Sequence, residues 1–304
     1  MVAGSKEERY ISRAAGDGTE HRIPVGTIHG AHPGERVTVF AGQHGTEYDG
    51  IEAAQRLFRT IDPAQVHGTI TVAIVINLRS FQTWTQFAPT PPEVTAMMRE
   101  LAAGSSALIN CHGGEFTEGM CPYVICRLVG QEDLDRKAME MAEAFGLPYI
   151  SVSKYRGEPP PDASGVRPAW WLWPRKSMAD ELQIPEITPE VGQRGSRDDD
   201  GLMHDGIVNV LRRLGVLDGD YVPPAEQPRV IGDRYWITAS TDGMFFPEID
   251  VCQDVSAGQR LGILRDDFGN VIEEVTAPAA AKVMNMNWGM PVQKDAFLLW
   301  LGEV

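Results

Sequence analysis

Val37–Arg59 reads VTVFAGQHGTEYDGIEAAQRLFR, and its two parts have different periods. Val37 to Gly42 is a short apolar run closed by glycine, which predicts a buried strand. Glu47 to Arg59 has the pattern of a helix. A strand feeding a helix through a glycine turn is the repeating unit of an α/β fold. The alternation continues outward along the chain. Thr69–Leu78 (TITVAIVINL) predicts a central strand, because it is β-branched and almost wholly apolar. Pro92–Leu101 predicts a helix with a first-turn proline. Ala107–Cys111 (ALINC) reads as a strand ending at Gly113-Gly114. Glu132–Phe145 reads as a helix closed by Gly146. A strand at Tyr149–Ser153, a helix at Lys176–Leu182, a strand at Glu186–Val191 and a helix at Gly201–Leu214 follow. The fold class expected is α/β, a mostly parallel (mixed) sheet with helices on both faces.

The proline-rich linker Val222–Pro228 (VPPAEQP) marks a boundary. It divides the expected catalytic α/β domain, residues 1–222, from a small C-terminal all-β domain, residues 229–304, whose short strands are separated by Gly, Asp and Asn turns. Two passages there resemble each other, Ser256–Leu264 and Pro291–Trp300. Each is a turn followed by an apolar strand, which suggests a sandwich or barrel of two similar halves.

The chain has 304 residues, 43% hydrophobic and 23% charged, enough to bury a large core. A net charge of -15 excludes nucleic acid as an expected partner, since phosphate would be repelled. No run approaches the roughly 20 apolar residues of a membrane span, and the first residues lack the apolar core of a signal peptide. The four cysteines, Cys111, Cys121, Cys126 and Cys252, form no CxxC pair. Reduced thiols in a cytoplasmic protein are therefore expected. The expected partner is a small-molecule substrate, with no nucleic acid and no membrane; assembly into a homo-oligomer is left open.

Ligands of an open α/β sheet bind beyond the carboxyl ends of its strands. His44 and Glu47 lie in such a place, in GQHGTE between the first strand and its helix, and His112 directly follows ALINC. Two imidazoles and a carboxylate form a donor set for catalytic zinc. An isolated HxxE is weak evidence; a second glycine-flanked histidine at another strand end strengthens it. Such a site needs a general base, and Ile187–Gly192 (ITPEVG) offers Glu190. The structural alternative is a solvent-facing glutamate on an edge strand, since Pro189 cannot donate to a ladder. Glu186 is the competing carboxylate. Cys111 reads as a buried core thiol.

These pieces, GQHGTE, the strand ending at Asn77, INCHGG (Ile109–Gly114), ITPEVG and the C-terminal DGMFFPEIDVCQDVSAGQRLG (Asp242–Gly262) and EVTAPAAAKV (Glu274–Val283), occur in one order. Together they resemble the succinylglutamate desuccinylase/aspartoacylase family, related to zinc carboxypeptidases. The resemblance runs from about Arg22 to the C-terminus. It implies a zinc-carboxypeptidase-like fold, Zn2+ on His44, Glu47 and His112, and the acid/base role for Glu190. It implies hydrolysis of the amide bond of a small N-acyl amino acid. The alternatives are a peptide carboxypeptidase or a non-catalytic member that binds a metal or ligand.

The sequence also departs from the family. Gln86 stands nine residues after Asn77, where relatives usually carry an oxyanion-steadying arginine. The Asp/Asn-Leu-Asn-Arg segment that grips a substrate carboxylate is absent. Asn77, Arg79, Gln86 and Arg194 are the substrate-binding candidates, with Arg127, Arg156 and Arg167 as further cations. The pocket is expected to depend less on a substrate carboxylate and to prefer bulkier, less charged amides. Trp170, Trp171 and Trp173, with Tyr155 and Trp84, read as a packed loop or as a wall for an apolar acyl group. Asp198-Asp199-Asp200 suits the positive end of the helix that follows.

Overall fold

The computed structural model describes residues 2–155, 157, 176–196, 201–289 and 291–304. The chain opens with a hairpin that the strand–helix alternation did not announce. Ser5–Ala14 (β1) and Glu20–His29 (β2) pair antiparallel about the turn at Ala15–Thr19. β1 is largely exposed, so it lacks the apolar run by which buried strands are recognised. The main body then follows: His32–Phe40 (β3), Tyr48–Thr60 (α1), His67–Ala73 (β4), Leu78–Thr83 (α2), Pro92–Ala102 (α3) and Ala107–Asn110 (β5). After these come Glu118–Met120 (β6), Tyr123–Leu128 (β7), Glu132–Phe145 (α4), Tyr149–Lys154 (β8), Met178–Leu182 (α5), Glu186–Glu190 (β9), Leu202–Arg213 (α6) and Arg229–Val230 (β10).

Nine of these strands form one sheet in the order β1-β2-β4-β3-β5-β9-β7-β8-β10. β4-β3, β3-β5, β5-β9, β7-β8 and β8-β10 are parallel; β1-β2, β2-β4 and β9-β7 are antiparallel. The sheet is therefore mixed and mostly parallel. Its central strands, β4, β3 and β5 among them, are buried on both faces, and their side chains alternate between two cores. Val37, Val39, Ile70, Val72, Ala107 and Ile109 face one core with Leu57 of α1, Met141 of α4 and Val210 of α6. Phe40, Ala73 and Leu108 face the other, with Met97 and Leu101 of α3. Helices thus cover both faces, as the alternation of elements required.

The remaining strands are Arg234–Thr238 (β11), Gly243–Pro247 (β12), Asp254–Val255 (β13), Arg260–Arg265 (β14), Val271–Thr276 (β15), Ala281–Asn287 (β16), Pro291–Val292 (β17) and Phe297–Gly302 (β18). They make two antiparallel sheets, β11-β18-β16-β13 and β15-β14-β12-β17. A separate core of Phe245, Leu261, Val283, Leu299 and others lies among them. The two similar passages end in β14 and β18, each an interior strand of a different sheet. β6, far earlier in the chain, pairs with β16. Met120, Tyr123 and Tyr149 pack with Ile231, Met284 and Trp300 at that junction.

Three expectations are corrected here. Thr69–Leu78 is not one strand: β4 stops at Ala73, and the apolar residues after it form a buried turn into α2, capped by the Asn77 side chain. Pro189 does not mark an edge. β9 lies inside the sheet between β5 and β7, with Pro189 opposite Val124 and its carbonyl accepting from the His112 N–H. Only the missing donor is lost, and the acceptor still pairs. The third concerns the cysteines, which are not all reduced. Cys121 and Cys252 form a disulfide across 131 residues, while Cys111 and Cys126 are free and buried. No spacing rule could reveal it, because the two sulfurs meet only through the β6–β16 pairing. Among the described residues, no helix is long and apolar enough to cross a membrane.

Candidate metal centre

The turn between β3 and α1 is held from two sides. Asn110 at the end of β5 donates to the Gln43 side-chain oxygen at 3.1 Å, and the Asn77 N–H bonds the Gly42 carbonyl at 2.8 Å. Gly42 has a φ of 62°, and a Cβ on Gly45 would sit 2.1 Å from the Phe81 nitrogen. Both positions require glycine. The turn brings His44 over Glu47, the residue preceding α1: His44 Nδ1 lies 2.5 Å from Glu47 Oε1. His112, one residue beyond β5, reaches the other oxygen, with Nδ1 3.1 Å from Glu47 Oε2. The two imidazoles are 5.0 Å apart between ring centres. The three side chains offer donor atoms within 4.8 Å of one another, and no other such group exists among the described residues.

Glu190 closes β9 and pairs with His112 as a parallel bridge. Its partner in β7 is Tyr123. Glu186 lies at the opposite end of β9, where its carboxylate accepts from the Ala179 N–H at 2.9 Å and serves the start of α5. The sequence reading missed two more acids. Glu115 is 1% exposed and accepts from the Phe87 N–H at 2.5 Å; Glu118 accepts from the Glu115 N–H at 3.1 Å. The signal was present as ExxE directly after His112-Gly113-Gly114.

Electrostatics here reflect an excess of acid. Burial opposes charge on Glu47, yet His44 and His112 outweigh it and hold the carboxyl at about 2. Burial alone would lower His44, but Glu47, then Glu115 and Glu190, raise it to about 9. Burial, with Glu47 and Glu115 beside it, lifts Glu118 to about 7. Burial, reinforced by Glu47 and Glu118, pushes Glu190 well above the carboxylate range. Burial also raises Glu115. Four carboxylates around two imidazoles form a cation-seeking site. The donor set and its separations fit a divalent ion with open positions.

The remaining candidates are placed as follows. Asn77 is buried and caps α2. Arg79 is exposed and reaches Thr19 of the β1–β2 turn at 3.5 Å, lining a cleft with Arg22 and Gln82. Gln86 accepts from the Thr117 N–H at 3.0 Å and hydroxyl at 3.2 Å, so its oxygen ties the 84–87 loop to the acidic one. Arg194 stacks 4.0 Å over Trp288. Arg127 donates to Ser153. Trp84 ends α2 in the left-handed region and is 73% exposed. Arg156, Arg167, Trp170, Trp171, Trp173 and Asp198–Asp200 lie outside the described residues.

Comparison with known proteins bears out the resemblance. Residues 33–99 match the Succinylglutamate desuccinylase/Aspartoacylase catalytic domain. The chain is 26% identical over 145 residues to the N-alpha-acetyl-L-2,4-diaminobutyric acid deacetylase of Halomonas elongata, a match spanning 42% of each chain. Its fold is that of the ectoine utilization protein EutE (DoeB) of Ruegeria pomeroyi, with a TM-score of 0.83, 17% identity, and coverage of 98% of this chain and 95% of that one. The succinylglutamate desuccinylase/aspartoacylase of Rhodobacter sphaeroides shares it at a TM-score of 0.80 and 18% identity, covering 98% and 95%.

Proposed function

We propose that this chain is a zinc-dependent hydrolase that cleaves the amide bond of a small N-acyl amino acid or related amide. The observation that carries the reading is the meeting of His44, Glu47 and His112 within 4.8 Å, beside Glu190. The activity of the Halomonas relative, a deacetylase, supports the same reaction class.

The three side chains would hold the ion, and when bound it would lower the pKa of water toward about 7 and polarise an amide carbonyl. Glu190 is the proton carrier. Its position on the strand paired to His112 puts a carboxylate beside the ligand set without using it as a ligand. Burial favours the protonated form of Glu190, which suits delivery of a proton to a leaving amine; accepting one from water needs the ionised form, which a bound cation would favour. Glu47 contacts both imidazoles and so gathers the three donor groups at one place. We place the boundary between a catalytic unit, 1–222, and a β unit, 229–304, at the proline-rich linker. The β unit borders the site: Trp288 donates from its backbone to the Thr117 carbonyl at 2.5 Å, and Arg194 stacks on its ring. In this reading it limits substrate size.

The test is metal analysis of the purified protein together with a screen of N-acyl amino acids. About one zinc per chain is expected, lost in His44→Ala and His112→Ala along with activity. Full occupancy in both variants removes the ligand assignment. A metal-loaded protein inert on every substrate favours a non-catalytic binding role.

A further inference from the structure

β1 runs for ten residues along one side of the nine-stranded sheet, and among the described residues no strand pairs with its outer edge. Its ladder with β2 extends over the whole strand without a bulge, so that edge is regular. A proline tells which backbone groups face outward. Pro24 stands opposite Tyr10, and its carbonyl accepts from the N–H of Ile74, just past β4, at 3.0 Å. Opposed residues in an antiparallel ladder alternate between pairs that exchange hydrogen bonds and pairs that do not. Tyr10 and Pro24 are therefore a non-exchanging pair, and the Tyr10 N–H and carbonyl point away from β2. The Ala15 N–H, of the other phase, donates to the Thr19 carbonyl at 2.8 Å, as this alternation requires. With a period of two, the backbone groups of Lys6, Glu8 and Ser12 also point outward. The Tyr10 side chain is 57% exposed, and the Arg22 guanidinium lies over its ring at 4.1 Å.

Charged side chains guard an edge strand against indiscriminate pairing, and in β1 they leave one register open. Two identical edges that close on each other run antiparallel about a two-fold axis. An axis at Glu8 opposes two glutamates, and an axis at Arg9 opposes two arginines. An axis at Ile11 opposes Arg9 to the partner's Arg13. An axis at Tyr10 opposes Glu7 to the partner's Arg13, Glu8 to the partner's Ser12 and Arg9 to the partner's Ile11. Among registers that pair more than half of β1, it alone sets no like charges opposite each other. Like charges opposed across a ladder destabilise it, and opposite charges support it. Arg13 already holds Glu100 of α3, and its guanidinium has donors left for a second carboxylate. We propose that β1 is the docking edge for a second copy of this chain, paired with its counterpart about an axis at Tyr10, so that two nine-stranded sheets become one. The two Tyr10 residues then exchange N–H to carbonyl bonds on the axis, which their outward backbone allows, and their rings form a cross-strand aromatic pair. The pairing uses none of the candidate metal ligands.

Sedimentation of the full chain should show a reversible monomer–dimer equilibrium, its mass approaching twice 33.4 kDa as concentration rises. Glu7→Arg and Arg13→Glu each set like charges opposite one another at both symmetric places. Each should raise the dimer Kd by about tenfold. The double variant Glu7→Arg/Arg13→Glu restores opposite charges, and its Kd should return to within about threefold of the parent. A mere loss of stability would persist in the double variant. Added cysteines read the register under mild oxidation. Tyr10→Cys sets two thiols opposite each other and should crosslink two chains, whereas Glu8→Cys and Ser12→Cys should crosslink only when mixed. The free thiols Cys111 and Cys126 are buried and should not react. A mass that stays at 33.4 kDa at about 100 µM overturns the proposal. So does a dimer indifferent to both single charge reversals, or Ser12→Cys crosslinking with itself as fast as Tyr10→Cys.

Discussion

His112 and Glu190 face each other across neighbouring parallel strands, locked by two backbone hydrogen bonds. The His112 N–H donates to the Pro189 carbonyl at 2.9 Å, and the Val191 N–H donates to the His112 carbonyl at 3.1 Å. One residue of slip between β5 and β9 would turn either side chain to the opposite face of the sheet. A candidate metal ligand and a candidate base are thus set by register, on a rigid scaffold and not on a free loop.

Glu190→Gln keeps the shape of the side chain and removes its ability to accept a proton. Zinc content should stay unchanged while turnover falls by about 10²–10⁴-fold. Metal analysis and steady-state kinetics on one preparation check both halves. Activity within a few-fold of the parent would move the base to another residue.

Metal uptake should release protons in a pH-dependent way. In the metal-free chain His44 is raised to about 9, so below that pH it is protonated and must lose its proton to bind zinc. Affinity therefore climbs with pH and levels off above about 9. The sign for stability follows from the same pair. The contribution of His44 is fully present below the ordinary histidine range and fades as pH rises through 9. That of Glu47 is present above the ordinary carboxylate range and fades as pH falls through about 2. Calorimetry of zinc binding in buffers of differing ionisation enthalpy should count about one more proton released at pH 7 than at pH 10. Equal release at both would contradict a charged His44.

Gly113→Ala should damage the centre without touching a candidate ligand. A Cβ there would lie 2.0 Å from the Val191 carbonyl oxygen and force β9 away from His112. We expect zinc affinity to drop by about tenfold or more, as when support around a metal ligand is lost. Gly16→Ala, where a Cβ meets nothing within 4 Å, is the matched control and should bind zinc normally.

The Cys121–Cys252 disulfide predicts two reactive thiols, not four, when the protein is denatured without reductant. Mass spectrometry after alkylation counts them directly. Replacing both cysteines by serine should lower stability by about 2–5 kcal/mol, the usual effect of removing such a crosslink. An unchanged melting temperature in the double variant would show that the bond adds nothing to the β6–β16 junction.

The periodicity of VTVFAG and of the helix after Glu47 carried the α/β architecture, because burial on both faces of a sheet leaves unbroken apolar runs. The motifs GQHGTE, INCHGG and ITPEVG carried the candidates His44, Glu47, His112 and Glu190, since glycine turns at strand ends are local signals. Other features depended on contacts between distant residues. β1 is polar enough to be silent in sequence. Pro189 suggests an edge until β7 covers it. Arg79 is a substrate-binding candidate in the sequence, yet its side chain goes to the β1–β2 turn. Gln86 stood in an arginine's place, and only the fold ties it to Thr117. The disulfide and the buried oxygen of Glu115 likewise exist only once far parts of the chain meet. Local composition decides which elements form and which residue types end them; register and long-range packing decide which side chains face one another, and that is a property of the folded chain.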